Sequence, residues 1–398
     1  MTSRRRDIGF ESGAYGYQPG VADRLLTEVG PGTPCGEFMR RYWQPVLASK
    51  NVTSRPQEVR ILGEDLIVFR DRSGRPGLLY PRCMHRGTSL LWGHVEATGI
   101  RCCYHGWLFD VEGNCLEQPC EPNKGVNLAA ARQPWYPLRE RYGLVWTYMG
   151  PPGKRPILPR WDVLEDLEDG EQYVVNDSSY GAHRDNSMAV VPYSWLHMND
   201  NIMDPFHVQV LHSTFSVYHF AREFEIMPTV EFEAIESGVI YKAYRKLDDG
   251  REVERTSTAL LPNIMSVPSI ELAPGRSNNV GFVVPVDDSH CRIIMVIRVP
   301  GEIADSLFDP AIFNGKSWSQ MSLEERQDIP GDYEAQAGQG PISLHSEEHL
   351  TSSDRGVIML RRLLKQQINI VREGGDPAGA VFDPAFERIR VPSGNFYR

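Results

Sequence analysis

The chain has 398 residues, with 42 basic and 52 acidic side chains and a formal net charge of −10. This length suggests two or three domains, and an acidic balance without blocks of like charge argues against a nucleic-acid partner. Seven cysteines without a disulfide framework fit a reducing compartment, and no stretch approaches the roughly 18 consecutive apolar residues of a membrane span.

The N-terminus, Met1-Thr2-Ser3-Arg4-Arg5-Arg6, is basic, but residues 7–12 supply no apolar segment behind it, so no signal peptide is expected and the protein reads as cytoplasmic. After an N-terminal segment (1–42), short apolar runs between turn signals predict a β-rich domain over 43–150. Val59 and Ile61 alternate with polar neighbours, 66–69 reads as a buried strand, and turns are expected at 71–74 and 112–114. Inside this domain stand Cys83-x-His85 and Cys102-x-x-His105, each expected on a loop at a strand end. Two thiolates and two imidazoles fit a Rieske-type [2Fe–2S] cluster, with the cysteines on one iron and the histidines on the other. A structural zinc site takes the same donors, but zinc fingers usually keep the cysteines in one pair and the histidines in the other; the mixed pairs favour the cluster. Gly87 and Gly106 suit backbone that must curl around it. The run 102–107, Cys-Cys-Tyr-His-Gly-Trp, resembles the second loop of Rieske proteins, C-P-Y-H-G-W, with Cys103 where proline is usual. That register selects Cys102 over Cys103 as the ligand.

Pro151-Pro152-Gly153-Lys154-Arg155-Pro156 reads as a rigid linker, and the boundary is placed there. The region 151–398 is expected to be α+β with antiparallel sheet. Val230, Phe232 and Ala234 alternate, a turn follows near 236–238, and Val239, Tyr241 and Ala243 alternate again; 279–286 and 291–299 predict a second hairpin. Helices are expected over 194–212 and 354–371, the second with Val357, Leu360, Leu364, Ile368 and Val371 on one face. The stretch 305–346 is expected to be long loop with short helical pieces.

The first of these helices carries the second constellation, Asp200-Asn201-x-x-Asp204-Pro205-x-His207-x-x-x-x-His212. Two histidines and a carboxylate form the facial triad of non-haem Fe(II) oxygenases. Residues five apart on a regular helix point about 140° from each other, so the spacing needs a kink at Pro205 or a local π-type turn to bring the imidazoles together. In isolation, two histidines at this spacing are more often ordinary helix residues. Asp204 lies at i, i+3 from His207 and can orient its ring.

The pattern (E/D)-N-x-x-D-x-x-H-x-x-x-x-H, following a Rieske motif, is similar to that of the large subunits of Rieske non-haem iron aromatic ring-hydroxylating oxygenases. Within them, 41–46 and the segment from 339 to Asp354 resemble the phthalate dioxygenase-like and phenoxybenzoate dioxygenase-like α-subunits. The resemblance implies an all-β Rieske domain followed by an α+β helix-grip catalytic domain. It implies a terminal oxygenase in aromatic catabolism, fed from NAD(P)H by a separate reductase carrying flavin and [2Fe–2S], with or without an intervening ferredoxin; no G-x-G-x-x-G opens a βαβ unit here. It makes Cys83, His85, Cys102 and His105 the cluster ligands, and His207, His212 and Asp354 the iron ligands, with Glu348 the substitute for Asp354. Read from the residues alone, Asp354 could equally cap the helix it precedes. Asn201 and Asp204 are assigned catalytic roles, Asp204 by bridging His207 to a Rieske histidine, His105, of a neighbouring chain in a head-to-tail homotrimer or dimer of trimers. The substrate is expected to be an aromatic carboxylate, with Arg222, Arg245 and Arg255 available to hold it and Met265, Val267 and Val283 near the pocket. Oxidative O-demethylation of a methoxylated aromatic acid is the runner-up. A Rieske electron carrier without oxygenase activity is the alternative of another class.

Overall fold

The structure, a computed structural model, describes residues 14, 16–177, 189–216, 220–304 and 315–398. The basic run at 1–6 and the positions 305–314 of the expected long loop lie outside the described residues. The apolar runs between 43 and 150 become small antiparallel sheets. Trp43–Ala48 pairs with Leu144–Tyr148, which pairs with Leu138–Arg141. Gln57–Ile61, Glu64–Arg70 and Pro76–Leu79 form a second sheet, in which Leu66, Ile67, Val68 and Phe69 are all buried, as an unbroken apolar run requires. His94–Glu96, Gly99–Arg101, Leu108–Phe109 and Cys115–Glu117 form a third.

Beyond the proline-rich segment lies a nine-stranded antiparallel sheet. Both expected hairpins belong to it: Thr229–Ile235 pairs with Gly238–Lys246, and Asn279–Asp287 with His290–Pro300. Helix α7 (Arg355–Arg372) packs on this sheet and on α2 (Pro34–Met39) through Val357, Leu360, Leu364 and Ile368, all buried. Each such side chain contributes roughly 1.5–3 kcal/mol by leaving water. One core joins the two regions: Trp146 from the first lies 5.4 Å from Trp161 and 4.9 Å from Phe282 on the large sheet.

The helix expected over 194–212 is broken, for a local reason. Helix α3 (Trp195–Ile202) ends at Met203, and α4 (Phe206–Val210) restarts after Pro205, which has no N–H to continue the ladder. A π-helical turn over Leu211–Phe215 follows without interruption. Two short helices, α5 (Leu323–Asp328) and α6 (Asp332–Ala337), lie in the described part of the long loop stretch.

Candidate metal centres

The two Cys/His loops have the same backbone design. Gly87 N–H donates to the Cys83 carbonyl (2.8 Å) and Cys83 N–H to the Thr88 carbonyl (2.9 Å); Gly106 N–H donates to the Cys102 carbonyl (3.0 Å) and Cys102 N–H to the Trp107 carbonyl (2.8 Å). Both glycines have positive φ, 79° and 72°, a conformation that costs other residues free energy. The loops face each other. Cys83 and Cys102 are buried within hydrogen-bonding reach, and the His85 and His105 rings lie 4.4 Å apart at the half-buried rim. Burial pushes the Cys83 thiol up to about 12, with Cys102 adding to the rise while the N–H groups of His85 and Arg86 oppose it; a metal must therefore displace that proton. Cys103 is exposed and Cys102 buried, on the side that faces Cys83. Trp107 stacks on His85 (4.6 Å, 3°) and fixes its plane. Arg101 holds the second loop, donating to the Gly106 carbonyl (2.6 Å) while paired with Glu96 and Glu117.

The π-turn gathers the second constellation. It brings the His207 and His212 rings to 5.4 Å, and their Nε2 atoms lie 3.7 and 3.3 Å from one carboxylate oxygen, Oδ1 of Asp332 at the start of α6. The ligand atoms of these three residues all lie within 4.8 Å of one another, a convergent set of two imidazoles and a carboxylate suited to one divalent iron. His207 Nδ1–H donates to the Asp204 carbonyl (2.5 Å), which leaves Nε2 free to face the triad. Asn201 Nδ2 donates to Asp332 Oδ1 (3.2 Å). Phe220 stacks on His212 (4.2 Å, 3°). Asp204 Oδ1 caps the restarted helix, accepting from Phe206 N–H (2.9 Å) and His207 N–H (3.3 Å), while its side chain remains 33% exposed. One carboxylate thus serves α4 and still reaches the surface.

Asp354, expected to supply the carboxylate, is not among the residues gathered with His207 and His212. Asp354 closes a capping box ahead of α7, its Oδ2 accepting from Thr351 N–H (2.6 Å) and Oγ1–H (3.1 Å). Glu348 is no substitute, because both of its oxygens bond Arg361. Arg361 also binds Asp200 (2.6 Å), tying α3 to α7; burial holds the Asp200 carboxyl up at about 6 against the lowering pull of this guanidinium. Asp332 was missed because nothing fixes its spacing from His212. Its signal, an acidic residue in the first turn of a helix after Pro330-Gly331, is shared with many ordinary helix starts.

Of the three arginines singled out, Arg222 is exposed, whereas Arg245 and Arg255 are each 2% exposed. Both lie over the Phe224 ring, at 4.8 and 5.1 Å, and Phe224 touches Phe220, which covers His212. Among the described residues no carboxylate pairs with either arginine. Arg255 is satisfied largely by the carbonyls of Ser269 and Pro268. Arg245 donates from Nε to the Ile226 carbonyl, but its buried Nη1 has no partner among the described residues, and burial lowers its guanidinium to about 10. Met265 and Val283, expected near a pocket, are instead packed in the main core.

A family model described as the Rieske [2Fe-2S] domain matches residues 42–137. The phenoxybenzoate dioxygenase subunit alpha of Ectopseudomonas oleovorans is 57% identical over 394 residues, 98% of this chain and 95% of that protein. The tert-butanol monooxygenase / tert-amyl alcohol desaturase oxygenase subunit of Aquincola tertiaricarbonis is 38% identical over 367 residues, 86% of this chain and 76% of that one. In overall fold the chain is similar to dicamba monooxygenase bound to dicamba, with a TM-score of 0.61, 18% identity, and coverage of 85% of this chain and 99% of the other. No helix among the described residues is long and apolar enough to cross a membrane.

Proposed function

Because the chain belongs to the large subunits of the Rieske non-haem iron oxygenases, we propose that His207, His212 and Asp332 hold its mononuclear iron, that Cys83, His85, Cys102 and His105 hold its cluster, and that it oxygenates an aromatic carboxylate. The observation that carries the iron assignment is the convergence of two Nε2 atoms on Asp332 Oδ1. When bound, the cluster supplies single electrons and the iron supplies the activation of O2. The protein's own part is orientation. The Asp204 carbonyl holds the proton of His207 on Nδ1, Asn201 fixes the rotation of the Asp332 carboxylate, and Phe220 keeps water from one face of His212.

The substrate class rests on Arg245 and on the 57% identical phenoxybenzoate enzyme. A buried guanidinium whose Nη1 has no partner among the described residues is a costly arrangement unless an anion completes it, and a benzoate carboxylate is a planar partner of the right charge. Electrons come from NAD(P)H through a separate reductase. The chain works in the cytoplasm as a homotrimer in which the half-buried Asp204 carboxylate meets a neighbour's Rieske histidine. The domain division stands at 150/151.

Anaerobically purified protein should be red-brown, bleach with dithionite and hold about three irons per chain. Two irons would point to an electron carrier, and a colourless zinc protein would reject the assignment. Offered phenoxybenzoates, phthalates, methoxybenzoates and tert-butanol with a surrogate reductase, it should turn over a carboxylated ring. Arg245→Leu should then raise KM for that substrate about tenfold or more, the loss of a charged hydrogen bond, and leave both metals bound. Turnover of tert-butanol alone, or an unchanged KM, would reject the substrate class.

A further inference from the structure

The first cluster loop has a support that lies outside both Cys/His motifs. Gln133 has no exposed surface. Its Nε2 donates to the carbonyls of Tyr80 (2.7 Å) and Arg82 (2.9 Å), and its Oε1 accepts from Met84 N–H (3.0 Å). Its own N–H donates to the Gly113 carbonyl (2.8 Å). A Cβ on Gly113 would lie 2.0 Å from the Gln133 carbonyl, so the two backbones are locked together. One side-chain amide thereby holds main-chain groups on both sides of Cys83.

Just downstream, the chain turns back on Cys83, whose carbonyl accepts from Gly87 N–H (2.8 Å) and whose N–H donates to the Thr88 carbonyl (2.9 Å), so the His85 and Arg86 main chain curls around the Cys83 side chain. Hydrogen bonds to cluster sulfurs favour the more negative, reduced state and raise the potential at which it forms. Such bonds depend on aim, and the aim depends on where the 80–84 backbone sits. The second loop is held differently, through Arg101 on the Gly106 carbonyl, so Gln133 acts on one loop and not on both.

We propose that Gln133 is a positioning residue that sets the reduction potential of the [2Fe–2S] centre, by holding the 80–84 backbone and with it the place of the Cys83 sulfur among the main-chain N–H groups of its loop. This rests on the reading of Cys83 as a cluster ligand. The competing role for Gln133 is satisfaction of buried main-chain groups alone, which would change stability and leave the potential where it was.

Two substitutions in the full-length oxygenase separate these roles. Gln133→Glu keeps the shape and the acceptor but turns a carboxylate oxygen toward the Tyr80 and Arg82 carbonyls; Gln133→Leu removes all three bonds. In a redox titration followed by circular dichroism and EPR, both variants should keep the cluster, reduce at a lower potential than the parent and show shifted g-values. An unchanged potential and EPR spectrum in both overturns the proposal. If Gln133→Leu purifies without a cluster, Gln133→Glu decides by the same criterion, and loss of the cluster from both also overturns it, since the role would then be retention. Cys83→Ala checks the underlying assignment independently: a Rieske spectrum surviving in that chain would reject Cys83 as a ligand, whatever the Gln133 variants show.

Discussion

At the residue scale, acidic side chains of one chemical type have different work, decided by what each touches. Asp332 meets two imidazoles, while Asp354 meets the backbone and hydroxyl of Thr351. Asp332→Ala should therefore lose the mononuclear iron and all product formation while the Rieske spectrum persists. Asp354→Ala should keep both metals and cost about 1 kcal/mol, the worth of a helix cap; iron analysis and thermal melts of the two variants check this. His197 gives a pH dependence. It is buried, its Nδ1 faces the Ser194 carbonyl (3.2 Å) and its Nε2 the Ser343 hydroxyl (3.0 Å), and burial lowers it to about 4. The unfolded chain then binds a proton below about 6.5 that the folded chain refuses until about 4. Stability from this group is complete above pH ~6.5 and is lost as pH falls toward ~4, by about 3 kcal/mol at most. His197→Asn should flatten the melting temperature between pH 7 and 5 relative to the parent; an equal slope in both proteins would reject this account.

At the element scale, the break between α3 and α4 and the π-turn after it are the device that makes a five-residue spacing usable. A continuous α-helix would point His207 and His212 apart; the extra residue in the turn over Leu211–Phe215 closes the angle. The other requirement is that α3 be anchored, since Asn201 on it steers Asp332. Arg361 on α7 does this through Asp200, with Glu348 as a second partner. Removing the guanidinium leaves two poorly solvated carboxylates side by side, so Arg361→Leu should destabilise the protein by about 3 kcal/mol in chemical denaturation. An additional Asp200→Asn should restore part of the loss. No loss in the single variant would mean the pair is merely a surface contact.

At the scale of the whole molecule, the proposed homotrimer makes the cluster of one chain serve the iron of the next. Chains carrying Cys83→Ala should lack the cluster and chains carrying Asp332→Ala the mononuclear iron, and each should be inactive alone. Co-expressed, they should form mixed trimers with part of the parent activity, because a cluster from one chain can sit beside an iron site from the other. Asp204→Asn in the chain that supplies the iron site should abolish that recovery while both metals remain. Activity absent from every co-expressed mixture would place electron transfer within one chain.

The sequence alone determined the features that local spacing controls: the two Cys/His pairs with their glycine-closed loops, the alternation that became paired strands, the stripe of α7, and the need for a kink near Pro205. Each depends on residues a few positions apart, where backbone geometry converts order directly into position. Tertiary structure alone brought Asp332, far from His212 in the chain, against the two imidazoles and put Asp354 in a capping box, because an acidic residue at a helix start reads the same in either place. It also decided that Arg245 is buried with no partner for its Nη1 among the described residues and that Gln133 grips the first Cys/His loop. Whether a polar side chain meets water, a ligand or a distant backbone is set by packing between segments, and that packing has no local signature.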